Sequence, residues 1–494
     1  MLAARSSMRP PITTRAVRRL GGVALVISIV APVSAQPPTP YTYDEFQPPQ
    51  VRLNVFQGSG ARALGMGGAF LARPDDATAA SWNPAGLSYL RRPEFSLAAV
   101  AGSLTSTTHN SNGALTIDDH LTSLSPDFVA TAYPFEVGSI SGAGQLSFQR
   151  VITFGGTRTI KRGEADIALD TGGGFDVISA GVGVHVWRKV RLGMTVNRWI
   201  NGYDASFLRK RTTPEERHTE LRLGGWNANA GIIVTPFENL NIGVVAKAPF
   251  TADVKLWRSY RNLVTELVPA VDDPETLVRR SFPEITAFQS NLRLHFPGAI
   301  GVGASWRITS PLTASIDVTR TFWSDAWVQN FFDLTSPTGQ VRPFDNKLSY
   351  PTLADFASAP SRGIEQSDTE QVRVGVEYVI VRDRFKLPLR VGYFNDRQYF
   401  RAARRTPPLR QATHELADRY LQSLDPPETL RPTSDVASPP HFHAITAGTG
   451  ISSGPLLLDF AYMLQLGDYI DADGTGSAIQ TRSHRFFGSL ILRF

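Results

Sequence analysis

The chain contains no cysteine and no long apolar segment after residue 35. The absence of cysteine excludes a disulfide framework. A membrane-spanning helix needs roughly 18 to 20 consecutive apolar residues, so helical membrane proteins are excluded as well. Despite a formal charge of +6, lysine and arginine are scattered among aspartate and glutamate and form no basic stripe. We therefore expect no nucleic-acid partner.

The N-terminus carries a targeting signal. Arg18 and Arg19 precede a short apolar run at residues 20–30, and a small-residue site, Val-Ser-Ala, follows at residues 33–35. A basic region, a short apolar region and a small-residue site in this order predict a secretory signal peptide over residues 1–35. The mature protein is therefore expected in the bacterial cell envelope.

A mean hydropathy of −0.13 with 19% charged residues is typical of a soluble protein, but it also fits the wall of a β-barrel. Such a wall alternates lipid-facing apolar residues with lumen-facing polar ones, so that its average is close to neutral. The length of 494 residues is sufficient for one large barrel. Strand periodicity, rather than overall hydropathy, therefore decides the class.

The C-terminal segment shows the clearest strand periodicity. One face of residues 483–494 carries Phe486, Gly488, Leu490, Leu492 and Phe494, and the other carries Arg485, Phe487, Ser489, Ile491 and Arg493. A period of two with a terminal aromatic residue indicates a lipid-facing strand. The terminal phenylalanine resembles the signal that the barrel-assembly machinery reads, so this machinery is an expected partner.

Similar alternating segments flank several short connections with residues typical of tight turns. These connections lie at 188–189, 236–239, 309–311, 381–386 and 452–455. Long polar segments, which we interpret as outer loops, lie at 201–221, 253–297, 324–370, 395–440 and 467–482. Short turns on one side and long loops on the other are typical of outer-membrane barrels. We predict an all-β, transmembrane antiparallel barrel of about 14 strands, with both termini in the periplasm.

A glycine-rich segment precedes the first predicted strand. Residues 58–70 read GSGARALGMGGAF, and the tripeptide Asn83-Pro84-Ala85 follows shortly afterwards. Here the chain resembles the FadL-like family of outer-membrane transporters for long-chain fatty acids and aromatic hydrocarbons, whose NPA motif matches this tripeptide. Further similar stretches lie at 240–249, 296–306, 317–323, 372–378 and 389–394. The resemblance implies that residues 36–92 form a hatch inside the lumen of a barrel formed by residues 93–494.

The resemblance also implies passive transport of a hydrophobic small molecule. In such relatives the ligand passes from the outer loops to an apolar lumenal site and leaves sideways through a gap beside the third strand. Here that strand carries Gly142 and Gly144, which either weaken strand pairing or make room for the hatch. The run GARALGMGGAF is equally similar to PorV-like relatives, so an accessory role in protein secretion or surface assembly is the alternative.

Apolar residues in the predicted outer loops are candidates for a ligand groove. Two of them have helical spacing, and the other four crowd the entrance of a second loop. The candidates are Leu263, Leu267, Phe322, Trp323, Trp327 and Phe331. They either line a groove for an apolar ligand or hold the loops together.

No segment predicts catalysis or metal binding. Residues 450–454, GISSG, satisfy the nucleophile-elbow pattern but fall in a predicted hairpin turn, whereas an elbow joins a strand to a helix. His441 and His443 share one strand face, but the sequence offers no third metal ligand. We predict no enzymatic activity, no metal and no cofactor. The expected partners are a hydrophobic ligand, outer-membrane lipids and lipopolysaccharide, and we expect a monomer in the outer membrane.

Overall fold

The structure is a computed structural model. It describes residues 58–109, 116–154, 156–162, 165–210, 215–269, 277–335, 341–349, 365–397, 400–401, 441–470 and 478–494. The predicted signal peptide, residues 1–35, and the first part of the predicted hatch, residues 36–57, lie outside the described residues. No helix in the described part of the chain is long and apolar enough to cross a membrane.

Short helical turns come first in the chain and strands follow. The helical elements of the N-terminal segment are α1 (Ala61–Gly65), α2 (Ala79–Trp82) and the 3-10 helix Pro84–Tyr89. The next strands are β1 (Glu94–His109), β2 (Thr116–Val137), β3 (Ile140–Thr153), β4 (Gly156–Arg162), β5 (Ala165–Trp187), β6 (Val190–Lys210), β7 (Glu215–Phe237), β8 (Leu240–Lys247), β9 (Phe250–Pro269) and β10 (Leu277–Phe296). They are followed by β11 (Ala299–Arg307), β12 (Leu312–Thr321), the 3-10 helix Trp323–Asp325, β13 (Trp327–Thr335), β14 (Val341–Ser349), β15 (Glu365–Gln366), β16 (Thr369–Val381), β17 (Lys386–Arg397), β18 (Phe400–Arg401), β19 (His441–Ser453), β20 (Leu456–Ile470) and β21 (Ala478–Arg493).

The strands form a closed antiparallel barrel. The first and last strands close it, since β1 pairs with β21 from Glu94 opposite Arg493 to His109 opposite Ala478. Some barrel strands are interrupted and carry two labels: β3 with β4, β8 with β9, β10 with β11, β12 with β13, and β14 with β16. Counted in this way the barrel has 14 strands, which confirms the predicted fold class.

Alternating exposure identifies the lipid face of the wall. Ile445 is 62% exposed, and Phe460 and Phe486 are each 58% exposed, whereas their sequence neighbours Ala444 and Phe487 are buried. The alternation continues through β21, where Ile491 is buried and the terminal Phe494 is 72% exposed. The last strand therefore presents the apolar row that the sequence predicts.

The predicted outer loops at 201–221 and 253–297 are largely strand, and this part of the prediction is wrong. The hairpin of β6 and β7 is paired out to Arg209 opposite Glu215, and that of β9 and β10 to Pro269 opposite Leu277. A strand such as β7, with 23 residues, is about 75 Å long at roughly 3.3 Å per residue. An apolar band of about 25 Å covers only part of that length, even with a strand tilt of about 45°. Beyond the band both faces meet water, so the residues lose the alternation that reveals a strand.

Candidate functional site

Residues 58–92, the described part of the predicted hatch, lie inside the barrel and are called the hatch below. Their large apolar side chains are almost fully buried: Phe70 and Trp82 are each 1% exposed and Leu87 is 0% exposed. Helix α1 packs against β17, β19, β20 and β21, and the 3-10 helix Pro84–Tyr89 packs against β3, β5, β6 and β7. The hatch therefore contacts opposite sides of the lumen.

Inward-facing glycines on the wall allow the hatch backbone to approach closely. These glycines are Gly193, Gly231, Gly243, Gly375 and Gly392, on β6, β7, β8, β16 and β17. A Cβ added at any of them would overlap an atom of the hatch, for example a carbonyl oxygen of the hatch at Gly243 or at Gly375. Glycine within a strand permits such close backbone approach. These residues, which we call the glycine seat, were not singled out from the sequence, although glycine recurs at inward positions of these strands.

The tripeptide Asn83-Pro84-Ala85 ends α2 and begins the 3-10 helix. The Oδ1 atom of Asn83 accepts a hydrogen bond from the Ala85 N–H at 3.1 Å, and Pro84 occupies the first helical position. The Asn83 Nδ2 donates to the carbonyl oxygens of Leu71 at 2.9 Å and of Ile232 at 3.3 Å. The motif therefore holds two parts of the hatch together and fastens them to β7.

A side-chain hydrogen bond to the third barrel strand, β3, is made elsewhere in the hatch. The Gln145 side chain on β3 donates to the carbonyl oxygen of Ala77. Ala77 also donates its N–H to the Glu94 Oε2 at 2.9 Å, which ties the same turn to β1. Asn83 itself makes its side-chain hydrogen bonds to the carbonyl oxygens of Leu71, Ile232 and Val244. Gln145 and Asn83 therefore both join the hatch to the wall. Gln145 does so from β3, and Asn83 does so through Ile232 on β7.

Gly142 and Gly144, the candidate gate residues, lie within a continuous ladder. β2 and β3 are paired from Val137 opposite Ile140 to Phe128 opposite Gln149. Leu146, two residues after Gly144, is 61% exposed, so the alternation places both glycines on the lipid face. They neither interrupt the pairing nor face the hatch.

The irregular part of the third barrel strand lies further along the chain. In the described part of β2 and β3, pairing between them ends at Gln149, although β2 continues along β1 and β3 continues along β5. The pairing of β3 with β5 shifts register between Arg150 and Ile152, which is typical of a β-bulge. A side-chain contact, Ser125 Oγ to Thr153 Oγ1 at 3.0 Å, crosses the region where the pairing has ended.

A buried network of charged residues fastens the hatch to the other side of the wall. Glu377 on β16 accepts from Arg390 Nε at 2.8 Å, and Arg73 Nη1 of the hatch lies 2.9 Å from it. Arg390 also contacts Asp459 at 2.6 Å, and Arg62 of α1 contacts Asp75 at 2.6 Å. Burial acts to raise the pKa of Asp75, but the guanidinium groups of Arg62 and Arg73 outweigh it and lower the pKa below its usual range. The charges of the hatch are therefore neutralised partly within the hatch, at Asp75, and partly by Glu377 of the wall.

Asp317 on β12 is a further anchor. Its side chain is 1% exposed, and its Oδ2 accepts hydrogen bonds from the backbone N–H groups of Phe70 at 2.7 Å and Leu71 at 2.9 Å. A carboxylate that accepts two backbone hydrogen bonds holds a turn more firmly than neutral acceptors do. The sequence alone did not reveal this partner.

We expect the replacement Asp317→Ala to loosen the hatch without preventing barrel assembly. Each hydrogen bond to a charged group contributes about 1.5–3 kcal/mol, so the loss of two, about 3 kcal/mol or more, corresponds to roughly a hundredfold or larger rise in local opening. Trypsin cleavage after Arg62, which precedes Ala63, in the folded, detergent-solubilised protein measures this opening. Asp317→Asn, which keeps one acceptor oxygen, is the matched control and should change the rate less. Unchanged cleavage in Asp317→Ala would show that the anchor is dispensable.

A buried apolar cluster lies on the side of the barrel formed by β3, β5–β7, β9 and β10. Trp199 stacks on Phe250 and Phe296 with ring centroids 5.1 and 5.7 Å apart, and Phe250 stacks on Phe296 at 4.8 Å. Further apolar residues of this cluster come from β5, β6, β7, β9 and β10. Lumenal residues of outer-membrane barrels are usually polar, so an apolar wall on one side is distinctive.

A cavity lies beneath the aromatic stack. It is lined by Trp199, Phe250 and Phe296, by Phe128 and Gln149 at the end of the β2–β3 pairing, and by Lys247. Ala80 and Ser81 of the hatch complete it, together with amide side chains from β6 and β7. The cavity therefore adjoins both the hatch and the place where pairing between β2 and β3 ends. None of its aromatic residues was a candidate from the sequence, because inward aromatic residues on long strands carry no distinguishing pattern.

The candidate groove residues are dispersed among several elements. Leu263 and Leu267 lie on β9, a strand rather than the helix that their spacing suggested, and their side chains lie outside the described part. Trp327 and Phe331 lie on β13, again with side chains outside that part. Trp323 is 1% exposed and belongs to the same apolar cluster as Phe250 and Phe296, which places one candidate at the lumenal cluster. Phe322 is partly buried, with the Arg320 guanidinium 5.8 Å from its ring centroid.

Comparison with solved structures defines the class of the fold. A FadL homologue from Pseudomonas aeruginosa aligns over 89% of this chain and 99% of its own, with 12% identity and a TM-score of 0.54. The toluene transporter TodX from P. putida gives the same coverage, identity and TM-score. The toluene transporter TbuX from Ralstonia pickettii aligns over 89% and 99%, with 13% identity and a TM-score of 0.51. No protein family model and no curated protein sequence matches the chain.

The chain thus has the fold of a bacterial outer-membrane barrel. More narrowly, it has the FadL-like fold, and the resemblance inferred from the sequence is confirmed at that level. The neighbours are named as transporters, hydrocarbon channels and a FadL homologue rather than as enzymes. Residues 450–454 lie at the end of β19 and in its turn to β20, not in a strand that enters a helix.

Proposed function

We propose that the protein carries hydrophobic small molecules passively across the outer membrane and releases them sideways between β2 and β3. The observation that carries this proposal is the aromatic cavity, which adjoins the point where β2–β3 pairing ends at Gln149. Apolar lumenal side chains give a hydrophobic molecule favourable surface, at roughly 25 cal/mol per Å² buried. A pore that conducts water and ions has a polar lumen instead.

The division of the lumen supports the same route. The charged network around Glu377 and the Asp317 anchor occupy the β12–β20 side, together with α1. The aromatic stack occupies the β5–β10 side, where the hatch contributes Ala80 and Ser81 to the cavity. A ligand passing along the apolar side therefore meets the hatch at small residues and leaves the charged network undisturbed.

Entry of a ligand requires movement of side chains. The cavity volume is about 50 Å³, whereas engineered cavities that bind benzene are on the order of 150 Å³. Rotation of Trp199 or a shift of the hatch at Ser81 would enlarge it. We infer that the ligand displaces side chains at the hatch, which couples ligand binding to opening near Gln149.

The functional test is uptake in cells that lack their own importer. We expect Phe250→Gln to reduce uptake of long-chain fatty acids and toluene roughly tenfold, since a buried phenylalanine contributes about 1.5–3 kcal/mol of apolar transfer energy. Phe237→Gln, on a lipid-exposed residue of β7, is the matched control and should leave uptake unchanged. If the wild-type protein supports no uptake and its loss impairs protein secretion, the transporter proposal fails and the PorV-like accessory role replaces it.

Lys247 distinguishes between the two substrate classes. It lies on β8 and lines the cavity, and an ammonium group there attracts a carboxylate but gains nothing from a hydrocarbon. We expect Lys247→Met to lower fatty-acid uptake about tenfold, the effect of one charge-assisted hydrogen bond, while sparing toluene. Competition between a labelled fatty acid and toluene measures this. Equal losses for both compounds would show that Lys247 serves the fold rather than selection.

We further propose how the chain is targeted, inserted and surrounded by lipid in the outer membrane. Residues 1–35 act as a cleaved signal peptide, residues 36–92 form the hatch, and the barrel-assembly machinery inserts residues 93–494. The protein acts as a monomer, and Asn83 keeps the hatch seated while ligand passes. Lipids of the outer membrane, including lipopolysaccharide, surround its wall.

A further inference from the structure

The outer surface of the last strands carries two identical Tyr–His pairs. Tyr393 Oη lies 2.7 Å from His443 Nδ1 across β17 and β19, and Tyr462 Oη lies 2.8 Å from His484 Nδ1 across β20 and β21. In each pair the ring centroids are 6.1 Å apart. When the tyrosine hydroxyl donates to Nδ1, the histidine carries its proton on Nε2. Both imidazoles then present an N–H group away from the tyrosine.

Arg482 lies beside these pairs. The strand register places His443 opposite Leu466, and Leu466 opposite Arg482, so the three side chains form one row on β19, β20 and β21. His484 lies two residues from Arg482 on the same face of β21. His443 and Arg482 are exposed and His484 is partly exposed. Three nitrogen donors therefore lie on the same outer face of the wall. His443 is two strand spacings, of about 4.8 Å each, from the strand that carries Arg482 and His484.

The neighbouring charges complete the surface. Arg397 lies opposite His441, which is exposed, and Asp468 lies opposite His441 on its other side. Asp468 thus lies directly opposite His441, whereas no acidic side chain lies directly opposite His443 or Arg482 in the strand register of the described residues. The basic character is concentrated at His443, Arg482 and His484, which we call the Tyr–His patch together with Tyr393 and Tyr462.

The patch lies at the outer edge of the apolar belt. Below it, toward the short turns, are the lipid-exposed Ile445, Phe460 and Phe486, and above it β19 and β21 reach their outer ends. Tyrosines at a membrane interface place their rings at headgroup level, with apolar belt on one side and water on the other. The donors above them are therefore at the depth of the phosphates of the outer leaflet.

We propose that the Tyr–His patch binds a phosphate group of a lipopolysaccharide molecule whose acyl chains lie along β19–β21. Arg482 supplies a guanidinium group suited to two phosphate oxygens, and the Nε2–H groups of His443 and His484 supply further donors. The exposed apolar row below accepts the acyl chains. This proposal deepens the lipid contact proposed above and does not depend on the transport route through the lumen.

The test uses purified full-length protein in detergent, titrated with lipopolysaccharide and followed by native mass spectrometry. We expect the triple variant R482Q/H443Q/H484Q to bind lipopolysaccharide about tenfold or more weakly than the wild type, because charge-assisted donors are lost. R222Q/H218Q, which removes an exposed arginine and histidine from β7, is the matched control and should bind normally. Heat-modifiable mobility verifies that each variant is folded.

Further arms separate phosphate recognition from binding through the acyl chains alone. Dephosphorylated lipopolysaccharide should bind the wild type as weakly as the triple variant binds the intact lipid, and inorganic phosphate at millimolar concentration should not compete, because it lacks acyl chains. Y393F/Y462F, which removes only the two hydroxyls, should give an intermediate loss. Equal binding of intact and dephosphorylated lipid, or normal binding by the triple variant, would overturn the proposal. Neither result would affect the uptake test.

Discussion

Deleting residues 36–92 is expected to raise the ion conductance of the barrel in planar bilayers from near background to that of an open pore, roughly tenfold or more. The reason is that a barrel of 14 strands approaches the size at which a lumen admits water, and the hatch fills this lumen. Phe70, Trp82 and Leu87 are almost completely buried within it. Single-channel recording of the purified protein measures the change.

A point substitution tests whether close packing of the hatch on the glycine seat, rather than the mere presence of residues 36–92, keeps the lumen closed. Gly392→Val adds a side chain where an extra Cβ would overlap the backbone at Gly67, so it should also raise conductance. Gly488→Val is the matched control, because a Cβ there meets nothing closer than Phe460 at 3.9 Å. If both the deletion and Gly392→Val leave conductance at background, the hatch does not close the pore.

Removal of Phe494 is expected to prevent most of the barrel from assembling. Its side chain is 72% exposed at the end of the lipid-facing row, and its N–H donates to the Pro93 carbonyl oxygen at 3.0 Å beside the β1–β21 seam. The loss of one phenylalanine from the apolar face removes about 1.5–3 kcal/mol, and loss of the assembly signal adds to it. We expect roughly a tenfold fall in heat-modifiable barrel in outer-membrane fractions.

Phe237→Ser separates these two contributions. Phe237 is 66% exposed at a short turn of β7, so its loss removes similar apolar surface without altering the C-terminus. We expect this variant to assemble nearly normally. Equal losses for Phe237→Ser and the Phe494 deletion would show that apolar surface, and not the terminal position, governs assembly.

The class of the fold was accessible from the sequence because lipid imposes a simple rule. Every wall residue within the membrane faces either hydrocarbon or lumen, so strands alternate with a period of two, and short turns must join them. Phe486, Leu490 and Phe494 follow this rule, and so do the hairpins at 188–189 and 452–455. Where the wall rises above the membrane the rule no longer applies. Leu263 and Leu267 were therefore taken for a helix although they lie on β9.

The site depended on contacts that no local pattern encodes. Asn83 was identified by its motif, but its partner Ile232 lies 149 residues away, and the Phe70 backbone meets a carboxylate at Asp317, 247 residues away. Strand register and the closure of β1 on β21 determine which inward residues meet, and so they decided the glycine seat, the charged network at Glu377 and the aromatic cavity at Trp199. The sequence by itself determined that the chain forms an outer-membrane barrel, since solvation acts on each residue locally, whereas the lumenal segment was expected from a family resemblance. Only the tertiary structure decided which side of the lumen is apolar and where β2 and β3 part, because both follow from the meeting of distant strands.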